Sequence, residues 1–262
     1  ELKAPAKINL SIDVLGKRTD GYHEVKMIMQ TISLHDEICI EMADRGIKVD
    51  CQSPLIPSGR RNIAYNAAGL MIERYNIKSG VRVVVDKRIP VASGLAGGSA
   101  DAAAVIKGMN VLFALGLDEQ ELVTIGKQVG ADVPFCIKGG TALAEGIGEA
   151  LTELGGFSGI NVVIVKPKID IKTAWVYKNL NLEMIDKRPD INLLVDAVNS
   201  KKVDIVAKNM ANVLETVTVQ KFGVIKVIKE RLIELGASGS LMSGSGPSVF
   251  GLFLDRRPAE NA

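Results

Sequence analysis

The residues from Pro90 to Gly108, PVASGLAGGSADAAAVIKG, constrain the fold more than any other stretch of this chain. A strand-like run, Val81 to Asp86, leads into them, and a helix-forming run of small residues leads out. Gly94, Gly97 and Gly98 carry no side chains to hold an anion away from the backbone. The first N–H groups of the helix that follows point into the same space, which is the physics of a phosphate cradle. Small residues from Ser99 to Ala104 let the helix start come close to neighbouring backbone and to a ligand. No Gly-Lys-Ser/Thr follows the glycines, so this is not a Walker A loop, and their spacing is not G-x-G-x-x-G. Two readings remain: a nucleotide-phosphate loop of another kind, or a glycine turn that packs a helix against a sheet.

The surroundings of the loop predict a two-domain chain. At 262 residues, with 47% hydrophobic and 24% charged residues, it can bury a real core in each of two domains. The pair Gly155-Gly156 is the expected boundary, giving residues 1–155 and 156–262. A net charge of +2 without a basic run argues against a nucleic-acid partner. No apolar run approaches the ~18 residues of a membrane span, and the N-terminus lacks the charged and apolar regions of a signal peptide. The three cysteines, Cys39, Cys51 and Cys136, are odd in number and widely spaced, so reduced, buried thiols in a cytoplasmic protein are expected.

Along the chain, Ala4 to Val14 alternates as a half-buried strand, with Ile8, Leu10, Ile12 and Val14 on one face and Lys7, Asn9, Ser11 and Asp13 on the other. Strands are expected at about Val25–Ser33, Glu37–Met42 and Ile47–Cys51. Asn62 is placed to cap a helix reaching about Tyr75, and Asp118 starts another that ends at the turn Gly130-Ala131-Asp132-Val133-Pro134. Thr141–Glu145 and Glu149–Leu151 can pair as a hairpin. The apolar run Ile160–Val165 reads as a buried strand. Helices at Lys172–Leu180, Asn192–Asn199, Asp204–Asn212 and Val219–Leu235 follow, then strands at Ala237–Met242 and Ser248–Leu254 and a frayed polar end, Asp255–Ala262. This second half predicts an α+β sandwich.

Several side chains outside the loop could carry chemistry. Lys7 and Asn9 point to the same side of their strand by its two-residue period. Asp132 sits at a rigid corner between Gly130 and Pro134, where it would serve either as a reactive carboxylate or as a helix cap. The two histidines, His23 and His35, lack metal-ligand spacing. Tyr22-His23 could stack on an aromatic ligand, or be an exposed turn pair. The turn Ser243-Gly244-Ser245-Gly246-Pro247 is either a plain hairpin loop or backbone that approaches a phosphate or the first loop.

Together, the Lys7 strand, the loop from Pro90 to Ala100 and the Ser243–Pro247 turn resemble, in order, the three motifs of the galactokinase, homoserine kinase, mevalonate kinase and phosphomevalonate kinase superfamily. The segments Pro5–Leu10, Asp20–His23, Gly94–Ser99 and Gly130–Pro134 are similar to the branch that acts on a cytidine-diphosphate-linked methylerythritol alcohol. The resemblance implies an α+β, two-domain kinase, with a ribosomal-protein-S5-like N-terminal domain and a ferredoxin-like C-terminal domain, using ATP and Mg²⁺. It implies Asp132 as catalytic base and Lys7 as its partner at the reacting hydroxyl. Asn9 would hold the substrate alcohol or phosphate, and Tyr22, His23 and Tyr177 the cytosine ring. The nucleotide would rest on Pro90, Val91, Ala92, Ser93, Gly94, Leu95, Ala96, Gly97, Gly98, Ser99 and Ala100, with Lys87 and Asn62 near the adenine. Ala96 and Ala100 stand where the superfamily often has glycine or serine, and the chain ends within a few residues of Leu254, so a short C-terminal domain is expected.

Two other functions compete. A related alcohol kinase would not need Tyr22-His23, because homoserine and mevalonate have no base to stack. A non-catalytic RNA- or protein-binding module would need the basic, aromatic-studded stripe that this composition lacks.

Overall fold

A computed structural model describes residues 1–262. The chain packs as two compact units, each assembled from several segments: residues 1–7, 31–91 and 96–139 in the first, and residues 8–30, 92–95 and 140–262 in the second. No helix is long and apolar enough to cross a membrane.

Two long strands are neighbours in one sheet and contribute residues to both units: β1 (Leu2–Lys17) and β2 (His23–Ala43). Sequence reading divides β2 into two strands, but it is continuous. No glycine or proline interrupts it, and its two halves have different partners.

In the first unit, β3 (Ile47–Cys51), helix α1 (Ile63–Arg74) and β4 (Gly80–Asp86) form a β-α-β crossover, with β3 and β4 parallel. The second half of β2 runs antiparallel to β4, Glu37 facing Asp86 and Ala43 facing Gly80. The loop then opens α2 (Gly97–Leu112), followed by α3 (Glu119–Val129) and the short α4 (Val133–Lys138). Asn62 and Asp118 cap α1 and α3 as expected. α2 lies close to its neighbours because its buried face is small: Ala100, Ala102, Ala103 and Ala104 are all buried, and a side chain at Gly108 would meet Ile40 Cδ1 at 2.4 Å.

In the second unit, β5 (Thr141–Glu145) pairs with the first half of β2 and with β6 (Ala150–Glu153), the expected hairpin. A separate antiparallel sheet is ordered β7-β10-β9, from β7 (Asn161–Val165), β9 (Gly239–Met242) and β10 (Val249–Phe253). Its central strand β10 is fully buried. β7, an edge strand, is half-buried rather than buried, a position its apolar composition does not reveal.

Between β7 and β9 lie α5 (Thr173–Asn179), α6 (Ile191–Asn199), α7 (Val203–Asn209), β8 (Ala211–Asn212), α8 (Glu215–Lys221) and α9 (Val224–Glu234). Three expectations are corrected here. α7 stops at Asn209, and Ala211–Asn212 pairs parallel with Ser11–Ile12 of β1. The helix expected over Val219–Leu235 is two helices, parted at Phe222-Gly223. The polar end is not frayed but forms α10 (Arg256–Asn261), which packs on β7 and β10 with Arg256 paired to Glu260 one turn on.

Candidate active site

The expected polar face of β1 is present, but it is not solvated. Lys7, Asn9, Ser11 and Asp13 are each at most 6% exposed, so both faces of the strand are buried. Each polar group is met. Lys7 Nζ lies 3.9 Å from Asp132 Oδ2, and Asn9 Nδ2 is 3.3 Å from Met27 Sδ. Ser11 donates to the Ala211 carbonyl, and Asp13 pairs with Arg188, which also donates to the Val14 carbonyl. A buried lysine is stable only beside a counter-charge.

Asp132 supplies that counter-charge from an unusual position. It precedes the first residue of α4, where an aspartate commonly caps, yet its backbone is helical and its side chain caps nothing. Pro134 in the first turn removes one donor that a cap would satisfy. The carboxylate, about one-third exposed, lies within ion-pair distance of Lys7 but too far for a direct hydrogen bond. The three cysteines are free but half-buried, not buried as expected; one turn along from Asp132, desolvation, reinforced by the Asp132 charge, pushes the Cys136 thiol well above its ordinary range, so it stays a neutral thiol.

The loop leaves β4 at Asp86 and enters α2 at Gly97. Ala92, Gly94 and Ala96 all have left-handed backbone, φ +51°, +80° and +57°. Ala96 occupies the N-cap position of α2 with no side-chain cap, so the first turn's N–H groups are left to a ligand or water. That left-handed φ is the reason glycine suits position 96.

The middle of the loop rests on the Ser243–Pro247 turn. Ser243 Oγ donates to the Gly94 carbonyl, and Ser248 N–H donates to the Ser93 carbonyl. A side chain at Gly94 would lie 2.2 Å from the Ser243 carbonyl oxygen. Of the two readings of this turn, the structure supports backbone that approaches the first loop. Asn212, a residue without a role in the sequence reading, holds the turn from below by donating to the Met242 and Gly244 carbonyls.

His23 and Tyr177 come together, with ring centroids 5.0 Å apart and planes inclined at 38°. Burial, with Lys17 nearby, lowers the His23 pKa, so the imidazole is neutral near pH 7. Tyr22 is 61% exposed, and its N–H is fixed by Asp20 at the tip of the turn. α5, which carries Tyr177, begins with Thr173, whose hydroxyl shares a 2.8 Å hydrogen bond with Ser245.

The Asn62 carbonyl oxygen and the Lys87 ammonium are engaged within the protein. Asn62 Oδ1 accepts the Ala64 N–H as the cap of α1. Lys87 Nζ is bound by Asp36 and, at 3.0 Å, by Asp101. Asp36 was invisible in the sequence because nothing local marks it. It lies far from Lys87 along the chain, in the middle of β2.

No cluster of three or more His, Cys, Asp or Glu side chains is arranged to hold a metal.

The chain is similar along most of its length to known kinases. Residues 62–140 match the GHMP kinases N terminal domain, and residues 194–262 the GHMP kinases C terminal domain. A 4-diphosphocytidyl-2-C-methyl-D-erythritol kinase of Acetivibrio thermocellus is 65% identical over 258 residues, covering 98% of this chain and 91% of that protein. One from Clostridium botulinum is 53% identical over 98% of this chain and 92% of its own. A crystal structure of 4-(cytidine 5'-diphospho)-2C-methyl-D-erythritol kinase superposes with a TM-score of 0.83 at 34% identity, covering 99% of this chain and 92% of that one. The expected α+β, two-domain kinase fold is thereby borne out. The chain belongs to the GHMP kinase family, in the company of its 4-diphosphocytidyl-2-C-methyl-D-erythritol kinases.

Proposed function

We infer that this protein is an ATP-dependent small-molecule kinase. It phosphorylates a hydroxyl of 4-diphosphocytidyl-2-C-methyl-D-erythritol to give the 2-phosphate, in the non-mevalonate route to isoprenoid precursors. Its relatives' names support the substrate. The observation that carries the chemistry is the Lys7–Asp132 pair, a buried ammonium beside a carboxylate withheld from capping.

The reaction needs an aligned hydroxyl, a proton acceptor and compensation of charge on the transferred phosphoryl group. The alcohol oxygen attacks the γ-phosphorus, the bond from that phosphorus to the ADP oxygen breaks, and the hydroxyl proton passes to Asp132. Lys7 offsets the negative charge that develops on the attacking oxygen. The loop Pro90–Ala100 supplies backbone N–H groups to the nucleotide phosphates; magnesium, when it accompanies the nucleotide, would offset part of the phosphate charge there. Asn9 orients the alcohol or its phosphate. Tyr22, His23 and Tyr177 recognise the cytosine, a neutral imidazole being able to accept as well as donate a hydrogen bond.

Product identification across a panel of alcohols tests this reading. Phosphate transfer to the cytidine-diphosphate-linked alcohol is expected, with far less to homoserine or mevalonate. Tyr177→Ala is expected to raise the KM for that alcohol about 10- to 100-fold and leave the KM for ATP unchanged. Equal turnover of an alcohol without cytidine would overturn the substrate assignment.

A further inference from the structure

The stems of the phosphate loop are tied together by charges that the reaction above does not use. Asp36, fully buried in β2, accepts the backbone N–H groups of Arg88 and Ile89 on one oxygen, at 2.6 and 2.7 Å, and Lys87 Nζ on the other. Those three residues form the stem by which the chain leaves β4. Lys87 Nζ reaches on to Asp101, one turn into α2, at 3.0 Å. The ammonium also sits directly under the helix start, since a side chain at Gly97 would lie 2.8 Å from Nζ and 3.0 Å from Ile89 Cγ2.

All three side chains are at most 7% exposed, and two carboxylates face one ammonium. Asp101 Oδ1 is buried without a hydrogen-bond partner. Such a cluster is an expensive way to gain stability, because desolvation offsets most of the Coulombic attraction. Its geometry suggests a different return. Between the stems, Ala92, Gly94 and Ala96 hold left-handed backbone, and for the two alanines that conformation persists only when the surroundings over-determine it.

We propose that Asp36, Lys87 and Asp101 form a buried ionic clamp that positions the two stems of the phosphate loop, so that Lys87 acts on the nucleotide through the loop's backbone and not by touching it. All three are positioning residues. The inference rests on the reading of Pro90–Ala100 as the ATP phosphate site and assigns that site its internal support.

Calorimetric titration of the full chain with ATP, alongside steady-state kinetics, tests the clamp. Asp101→Asn keeps the side chain's size and abolishes its charge, and is compared with wild type at pH 8, where the Asp101 carboxylate is ionised. It and Lys87→Met are each expected to weaken ATP binding about tenfold, with the KM for the cytidine-linked alcohol within about twofold of wild type. The double variant should be no weaker than the worse single one, because both changes open the same clamp. Lys87→Arg, which can still bridge both carboxylates, should recover most of the affinity. Additive losses in the double variant, or wild-type ATP affinity in Asp101→Asn beside a large loss in Lys87→Met, would show that Lys87 meets the nucleotide directly and overturn the clamp. So would wild-type ATP affinity in both variants with only the melting temperature lowered. Failure of the wild-type protein itself to bind ATP would instead overturn the kinase reading.

Discussion

Four helices of the first unit begin in two different ways. α1 and α3 start conventionally: Asn62 Oδ1 accepts the Ala64 N–H, and Asp118 and Glu121 exchange side-chain and backbone bonds in a full capping box. α2 and α4 have no side-chain cap at all. At α2 an alanine in left-handed conformation stands where a polar side chain would cap. At α4 an aspartate stands in the capping position but leaves its carboxylate toward Lys7. The uncapped starts are the two that carry the proposed chemistry, because a cap would consume the N–H groups needed by a phosphate or the carboxylate needed by a hydroxyl.

The sharpest way to break this comparison is to make the same substitution at both aspartates. Asp132→Ala is expected to lower kcat by about 10³-fold; no capping bond is lost, so any fall in melting temperature comes from leaving the buried Lys7 ammonium without its counter-charge. A melting temperature lowered as much as by loss of a true cap, with kcat preserved, would reduce Asp132 to a structural residue.

The next effect concerns the carboxylate one turn into α2. Burial pushes the Asp101 carboxyl up to about 7 from 3.8, with Asp36 adding to the rise and Lys87 opposing it. The folded protein therefore keeps a proton that the unfolded chain releases. The stability conferred by neutral Asp101 is full below the unfolded value, declines as pH rises towards about 7, and is lost above it. Urea unfolding of wild type and Asp101→Asn at pH 5 and pH 8 should show the variant gaining about 2 kcal/mol relative to wild type across that interval. Parallel pH profiles would mean that Asp101 stays ionised throughout.

Asp118→Ala should cost about 1 kcal/mol of stability and leave kcat and both KM values unchanged. A kinetic effect there would erase the distinction between the two kinds of helix start. Smallest of all, Ala96→Gly should stabilise the protein by about 0.5–1 kcal/mol, because glycine adopts the left-handed conformation at this site without steric cost. Destabilisation would indicate that the methyl group's packing outweighs its backbone strain.

The fold and the candidate site were legible to different depths. Glycine spacing, the capping residues Asn62 and Asp118 and the corner at Gly130–Pro134 act over a few residues, and all reappear at the expected places. The continuity of β2, the edge position of β7 and the pairing of Ala211–Asn212 with β1 depend on partners far along the chain, which no local pattern specifies. α4 escaped notice because it has only six residues, with Pro134 among them.

The Lys7 strand shows where the line falls. Its alternation of apolar and polar residues was set by the sequence alone, as were the strand and the side to which Lys7 and Asn9 point. That the polar side is buried, with Lys7 facing Asp132 and Asp13 facing Arg188, was decided only in the tertiary structure. The same is true of Asp36 reaching Lys87 and of the Ser243 turn bracing Gly94. The reason is physical: a two- or three-to-four-residue period reports how a segment divides its own faces, whereas burial and ion pairing depend on which distant segment comes to lie against them.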